Sequence, residues 1–370
     1  MLHYESAGDN QAGGKAMAEQ RSSGRCVGRL VVLLALQAAW AAAAPWYVLY
    51  DHVGGRQETV SLRALELAHD NATLYTGWLH WGGQRAVYRH DAFTGAVLGS
   101  YSLGTIQANA IATDDRGYVY IGYGENGSGR MEVRDATLAS QVAAPFTGGS
   151  TEDVEGLHVW KDPAANYYLY ASRSNGVVER YDVTNASAPA LDASWATGGT
   201  FSINDRQLRG LVVDDDGTVF VTQRDTLGTD RLGFLYRIAP DLTLTSIPIA
   251  GAMDAAIYGG NVYVTQYIGN PSSVAVYDKG DLSFVETLFT GFARDDTYGY
   301  SGLDIADDTG WIYVNDQWYR VEGGGWEALY YDRILTTFPA QQPEAIPEPA
   351  TVLLLAAGLS CLARARRRRQ

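Results

Sequence analysis

Six polar residues stand at matching places along the chain: Arg63, Asn109, Glu155, Arg209, Asp254 and Ser301, each just ahead of a small residue and a short aliphatic run. Two carboxylates, two guanidinium groups, an amide and a hydroxyl gathered at one place would bind a sugar, a carboxylate or a metal ion. A water-filled channel needs the same polar lining with no ligand at all. No complete catalytic set accompanies them. Gly122, Gly124 and Gly127 form a GxGxxG, but Ser-Gly and another strand-like run follow, with no helix whose N-terminus would hold a pyrophosphate. Ser301 in Gly-Tyr-Ser-Gly misses the GxSxG elbow by one residue. His52, His69, His80, His90 and His158 show no paired metal-ligand spacing. The runs Asp114-Asp115, Asp214-Asp215-Asp216 and Asp307-Asp308 fall where hairpin turns are expected and do not match the spacing of a calcium loop. No catalytic residue, metal site or cofactor is therefore expected.

The elements that must position the six residues are strands. Leu208 to Gln223, LRGLVVDDDGTVFVTQ, reads as two short strands around a tight Asp-Asp-Gly turn. Weaker copies place an aromatic residue in the second strand at Tyr75, Tyr120, Tyr170, Phe220, Tyr263 and Tyr313, recurring every 43 to 50 residues. A repeat of that period built only from strands is the mark of propeller blades. Segments such as VVERYDVTNASAPAL and VAVYDKGDLSFVETL supply the third and fourth strands of each blade. The predicted fold is all-β, a six-bladed β-propeller with four-stranded antiparallel blades. The six polar residues, on the first strand of each blade, then ring the mouth of its central channel. The run Pro45 to His52 is left over. Trp46 to Tyr50 is expected to add a strand to the sixth blade, because an open ring leaves strand edges and blade faces exposed. Trp78, Trp81, Trp311, Trp318 and Trp326 fall in blades one and six, where they either stack on sugar rings or fill the space between blades.

Both ends read as targeting segments. Arg29 followed by LVVLLALQAAWAAAA is a secretory signal with cleavage between Ala42 and Pro45, and Met17 would provide a more ordinary start than Met1. At the other end Pro347, Glu348 and Pro349 precede an apolar stretch from Ala350 to Ala363, and Arg364, Arg366, Arg367, Arg368 and Arg369 follow. That stretch is shorter than the roughly 20 residues of a permanent span, which suits a transient membrane stop with the body outside. The predicted division is 1–44 signal peptide, 45–340 propeller and 341–370 sorting segment. Cys26 and Cys361 both lie in the end segments, so the propeller is expected to owe nothing to disulfides. Without the ends the chain carries 19 basic and 37 acidic residues, a net of −18. Such a body repels nucleic acid and anionic membrane surfaces.

The order Pro-Glu-Pro, short hydrophobic helix and arginine cluster resembles the PEP-CTERM sorting signal of Gram-negative bacteria. The resemblance implies recognition by a membrane-embedded exosortase after export by the secretion machinery, removal of the tail near Pro347 to Pro349, and delivery to the cell surface or the exopolysaccharide matrix. The blade pattern, a small residue before Leu or Ile, then Asp-Asp-x-Gly, then an aromatic residue, resembles propellers of the NHL-repeat and gluconolactonase-like group. That resemblance implies a channel metal held by a Glu, an Asp and Asn residues, with Glu155, Asp254 and Asn109 the counterparts by type. Arg63 and Arg209 at the same level would oppose a divalent cation. Two functions of different class follow: a surface or matrix propeller that binds exopolysaccharide or other surface proteins without catalysis, and a secreted metal-dependent lactonase or esterase working at the channel mouth.

Overall fold

The computed structural model describes residues 47–53, 59–81, 85–124, 129–203, 207–224, 232–266, 273–289, 300–321 and 328–337. The predicted signal peptide, Trp46, Trp326 and the predicted sorting segment lie outside the described residues, as do the side chains of Arg63, Trp78, Trp81 and Trp318. The chain divides into two units, Met1–Ala44 and Pro45–Gln370, and every described residue belongs to the second.

Strand β1 (Tyr47–Val53) comes first. Blade 1 is β2 (Thr59–Leu67), β3 (Thr73–Trp81), β4 (Arg85–Asp91) and β5 (Val97–Gly104). Blade 2 is β6 (Ala108–Thr113), β7 (Tyr118–Tyr123), β8 (Met131–Asp135) and β9 (Gln141–Phe146). Blade 3 is β10 (Val154–Lys161), β11 (Tyr167–Arg173), β12 (Val177–Asp182), β13 (Ala190–Leu191) and β14 (Thr200–Ser202). Blade 4 is β15 (Leu208–Val213), β16 (Val219–Gln223), β17 (Leu232–Ile238) and β18 (Leu244–Ala250). Blade 5 is β19 (Ala252–Tyr258), β20 (Asn261–Gln266), β21 (Ser273–Asp278) and β22 (Phe284–Phe289). Blade 6 takes β23 (Tyr300–Ile305), β24 (Ile312–Val321) and β25 (Ala328–Thr336) from the end of the chain and β1 from its start, in the order β1-β25-β24-β23.

Burial explains why the inner hairpins are the legible part of each repeat. β6 is buried at every position, whereas β5 is largely exposed with only Leu103 buried. Inner strands with a blade on either face therefore read as continuous apolar runs, and outer strands lose the pattern. The apolar core is not one body. It is six clusters, each shared by two neighbouring blades, as where Tyr120 and Val133 of blade 2 meet Leu157 and Leu169 of blade 3. The sixth cluster closes the circle: Leu49, Tyr313 and Ile334 pack on Leu65, Leu67, Leu74 and Ala92 of blade 1. In five of the six repeats the aromatic residue is buried in these seams, with Tyr75, Tyr120, Tyr170, Phe220 and Tyr313 all at most 1% exposed, whereas Tyr263 is only partly buried. Trp311 packs against the closing cluster and sets its ring edge-on to Phe93, so this tryptophan fills space between blades. Gly117 and Gly217 end the Asp-Asp-x-Gly turns at φ of 84° and 85°, where a side chain is disfavoured.

Blade 6 takes the added strand expected from the start of the chain, with β25 lying third in its sheet and β1 outside it. Blade 3 departs from the four-stranded plan. Blade 3 has its outer position divided between β13 and β14, both paired to β12. The reason is local. Asp182, Asn185 and Asp192 accept main-chain N–H groups of their own turns, Gly198 and Gly199 adopt positive φ, and Trp195 is buried against Tyr170. A continuous strand is broken there by turn chemistry.

Candidate functional site

All six inner strands carry a β-bulge at the level of the six polar residues. The pairing slips between Leu62 and Ala64, Ala108 and Ala110, Val154 and Gly156, Leu208 and Leu211, Ala252 and Ala255, and Tyr300 and Leu303. A bulge inserts one unpaired residue and re-aims its side chain. In six copies it turns Asn109, Glu155, Arg209, Asp254 and Ser301 toward one central cavity of about 800 Å³. Arg63 occupies the same bulge in β2. The small residue that follows has its own cause, since the neighbouring blade lies against it. A Cβ on Gly210 would stand 2.5 Å from the Asp254 Cα, and one on Gly156 would stand 2.5 Å from the Arg209 carbonyl oxygen. Two glycines of the GxGxxG are packing positions too: Gly122 faces Val154, and Gly124 faces the Asn109 amide, while Gly127 lies outside the described residues.

The ring residues are largely engaged with the protein itself. Arg209 Nη1 pairs with Glu155 Oε2 across blades 3 and 4, and the Arg209 carbonyl accepts the Ser172 hydroxyl. Asn109 Oδ1 accepts from Gln107 Nε2. Asp254 Oδ1 accepts the Ala255 N–H at 2.9 Å, and its Oδ2 accepts the Leu303 N–H of blade 6 at 3.0 Å. Burial pushes the Asp254 carboxyl up to about 8, helped by the charge of Asp304 and opposed by those two amide bonds. Ser301 is buried at the cavity wall. Among the described residues no group of three His, Cys, Asp or Glu side chains is arranged to hold a metal ion. Glu155, Asn109 and Asp254 share the cavity, but each is committed to a different protein partner.

The hairpin turns line the opposite end of the cavity, and several of their carboxylates are engaged within the turn or by a lysine of the next blade. Asp114 Oδ1 accepts the Arg116 and Tyr118 N–H groups at 3.0 Å, and Asp216 Oδ1 accepts that of Thr218 at 2.8 Å. Lys161 bridges to Asp115 at 2.7 Å and Lys279 to Asp214 at 2.7 Å. Asp307 also lines the cavity.

Three positions beyond the ring stand Glu66, His158 and Asp304, all lining the cavity, with Ala112, Val212 and Ile257 at that place in the other blades; sequence reasoning weighed His158 only as a metal ligand and passed over Glu66 and Asp304. Glu66 Oε1 accepts the Thr113 N–H at 2.7 Å, and Asp304 Oδ2 accepts the Leu67 N–H at 2.6 Å. Burial and then the charge of Asp304 raise Glu66 well above the usual carboxylate range, and burial, with the charge of Asp307 and against the Leu67 and Ile305 amides, pushes Asp304 up to about 7. His158 is drawn down to about 4 by burial and by His69, so its imidazole is neutral near neutral pH. The signal was present as an ionisable residue at a fixed offset in three of six repeats. It was hidden because the other three are apolar.

Fold and cavity together define a closed six-bladed propeller whose polar channel is lined by the first strand of each blade. Residues 345–369 match the PEP-CTERM protein-sorting motif, which implies export, recognition by exosortase and a cell-surface or extracellular destination. Among solved structures the chain is similar to the WD40 β-propeller domain of Doa1, with 13% identity and a TM-score of 0.48 over 78% of this chain and 96% of that one. It is similar to hydrazine synthase of Kuenenia stuttgartiensis, with 17% identity and a TM-score of 0.48 over 69% and 76%. A protein of unknown function from Bacteroides caccae matches with 11% identity and a TM-score of 0.46 over 64% and 80%. No curated protein matches the sequence.

Proposed function

We propose that the mature chain is an exported propeller that works without catalysis, as a binding or structural module at the cell surface or in the exopolysaccharide matrix. Its recognition surface is the channel mouth bearing Asn109, Glu155, Arg209, Asp254 and Ser301. The ion pair of Glu155 with Arg209 carries this reading. A catalytic metal needs several convergent ligands and an open position for reacting water. The carboxylate best placed by type to be a ligand already lies against a fixed positive charge. A rim of paired charges, amides and hydroxyls suits a polyhydroxylated ligand, which is met by hydrogen bonds and brings no charge of its own. Transient anchoring through Ala350 to Ala363 before tail removal completes the route to the surface.

Purified mature protein is expected to hold no stoichiometric divalent metal after dialysis, and its melting temperature is expected not to move on adding chelator. It is expected to cosediment with exopolysaccharide purified from the host, and the Glu155→Gln, Arg209→Gln pair to weaken this severalfold. One metal per chain, lost in Glu155→Gln together with lactone or ester hydrolysis, would establish the hydrolase instead. Mass spectrometry of the protein recovered from the host should find neither the residues before Ala42 nor the cluster Arg364 to Arg369. A mature chain still carrying those arginines would rule out processing at the motif.

A further inference from the structure

The groups that bridge the seams between blades differ around the ring where they meet the central cavity. From blade 2 round to blade 5 the bridges include cations: Lys161 on Asp115, Arg173 Nη1 on the Gly129 carbonyl at 2.6 Å, Arg209 on Glu155, and Lys279 on Asp214. A neutral hydroxyl adds to them where Thr222 Oγ1 donates to the Met253 carbonyl at 2.7 Å. Each of the remaining three seams is spanned at the central cavity by a carboxyl that takes a main-chain N–H of the next blade; farther out, the blade 1 to 2 seam also carries Arg89 Nη1 on the Ala136 carbonyl at 3.4 Å and the Arg134 guanidinium over the Tyr101 ring. Asp254 bridges blade 5 to Leu303 of blade 6, Asp304 bridges blade 6 to Leu67 of blade 1, and Glu66 bridges blade 1 to Thr113 of blade 2. The middle one is the seam at which the ring closes. All three carboxyls face the central cavity.

The charged groups acting on them are further carboxylates: Asp304 and Asp254 act on Glu66, Asp304 on Asp254, and Asp307 on Asp304. The phenols of Tyr75 on β3 and Tyr313 on β24 also face Glu66 and Asp304, and burial pushes both up to about 12, so they stay neutral. Two neighbouring carboxylates in a poorly solvated space do not both ionise without cost.

We propose that this half of the ring is a pH-responsive seam, tight while the Glu66 and Asp304 pair retains a proton and loosened when both are ionised. One retained proton removes the repulsion and still leaves acceptor oxygens for the Leu67 and Thr113 amides. All three groups titrate higher in the folded chain than the roughly 4 of a carboxyl in an unfolded one. The folded state therefore binds more protons between about pH 4 and pH 8, and stability falls as pH rises through that window. Export places the seam where the surroundings set its pH.

Urea unfolding of the mature protein between pH 5 and pH 9 tests the proposal. The midpoint is expected to fall as pH rises to about 8, and Asp304→Asn, whose amide oxygen still accepts the Leu67 N–H, is expected to flatten that fall. Glu66→Gln should do the same and carries the test if Asp304→Asn does not fold. Amide exchange, corrected for the intrinsic effect of pH, should show Leu67, Thr113 and Leu303 losing protection at pH 8.5 relative to the Leu211 amide near the blade 3 to 4 seam. A midpoint that is level or rises over this range, an unchanged slope in the variants, or equal loss of protection at all seams would overturn it.

Discussion

Removal of residues 47–53 is expected to lower the melting temperature by well over 10 °C, the largest effect foreseen for any change outside the central channel. β1 is antiparallel to β25 from Tyr47 opposite Thr336 to Val53 opposite Tyr331, and among the described residues nothing else completes the outer side of blade 6. Leu49 is 8% exposed and belongs to the cluster that seals blade 6 to blade 1. Gly95, at φ 71° in the turn after β4, lies so near that a Cβ there would stand 2.2 Å from the Leu49 carbonyl oxygen. The strand therefore holds the last blade and the first together. Truncating a buried leucine to alanine costs about 2–5 kcal/mol, and each kcal/mol lowers Tm by roughly 2–4 °C in domains of 150–250 residues. Leu49→Ala should accordingly fall between the intact and truncated proteins, and deletion should add the loss of the whole β25 pairing. Thermal melting of all three decides it. Equal melting temperatures for the intact and truncated chains would show that the ring closes without β1.

Arg173→Met is expected to destabilise the protein by about 3–5 kcal/mol, the usual consequence of stranding one partner of a buried ion pair. Arg173 and Glu179 are both fully buried. Arg173 Nε donates to Glu179 Oε2 at 2.7 Å, Nη2 to the Tyr181 hydroxyl at 3.0 Å, and Nη1 to the carbonyls of Gly129 and Glu152 at 2.6 and 3.1 Å. The substitution leaves a carboxylate without its cation and two carbonyls without a donor. Replacing both partners, as in Arg173→Met with Glu179→Leu, should recover much of the loss because no lone charge remains. Denaturant midpoints for the two single variants and the double variant measure the coupling. A single variant within about 1 kcal/mol of wild type would mean that water reaches the site and replaces the bonds.

The propeller was legible because its signals are local. A buried inner hairpin such as Leu208 to Gln223 shows apolar runs, an Asp-Asp-Gly turn and an aromatic residue within one short stretch, and six copies at a regular period fix the number of blades. The outer strands were harder to read because they are half solvated, and turn residues displaced the strand in the outer part of blade 3. The ring position was legible as a row of polar residues. The bulge that turns those residues to the channel was not, because it is a property of the pairing between two strands and leaves no residue signature of its own.

The sequence by itself determined the inner hairpins, their turns, the blade count and the sorting motif at residues 345–369, since each depends on neighbours in the chain, while the place of β1 followed from the need to close the ring. Tertiary structure alone decided what the polar residues do. Glu155 meets Arg209 from 54 positions away, and Asp304 meets the Leu67 amide from 237 positions away. Such partners are chosen by closure of the ring, which brings the last blade against the first. A side chain poised as a ligand in the linear reading is thereby committed to its neighbour, and an unremarkable Glu66 enters the centre of the molecule.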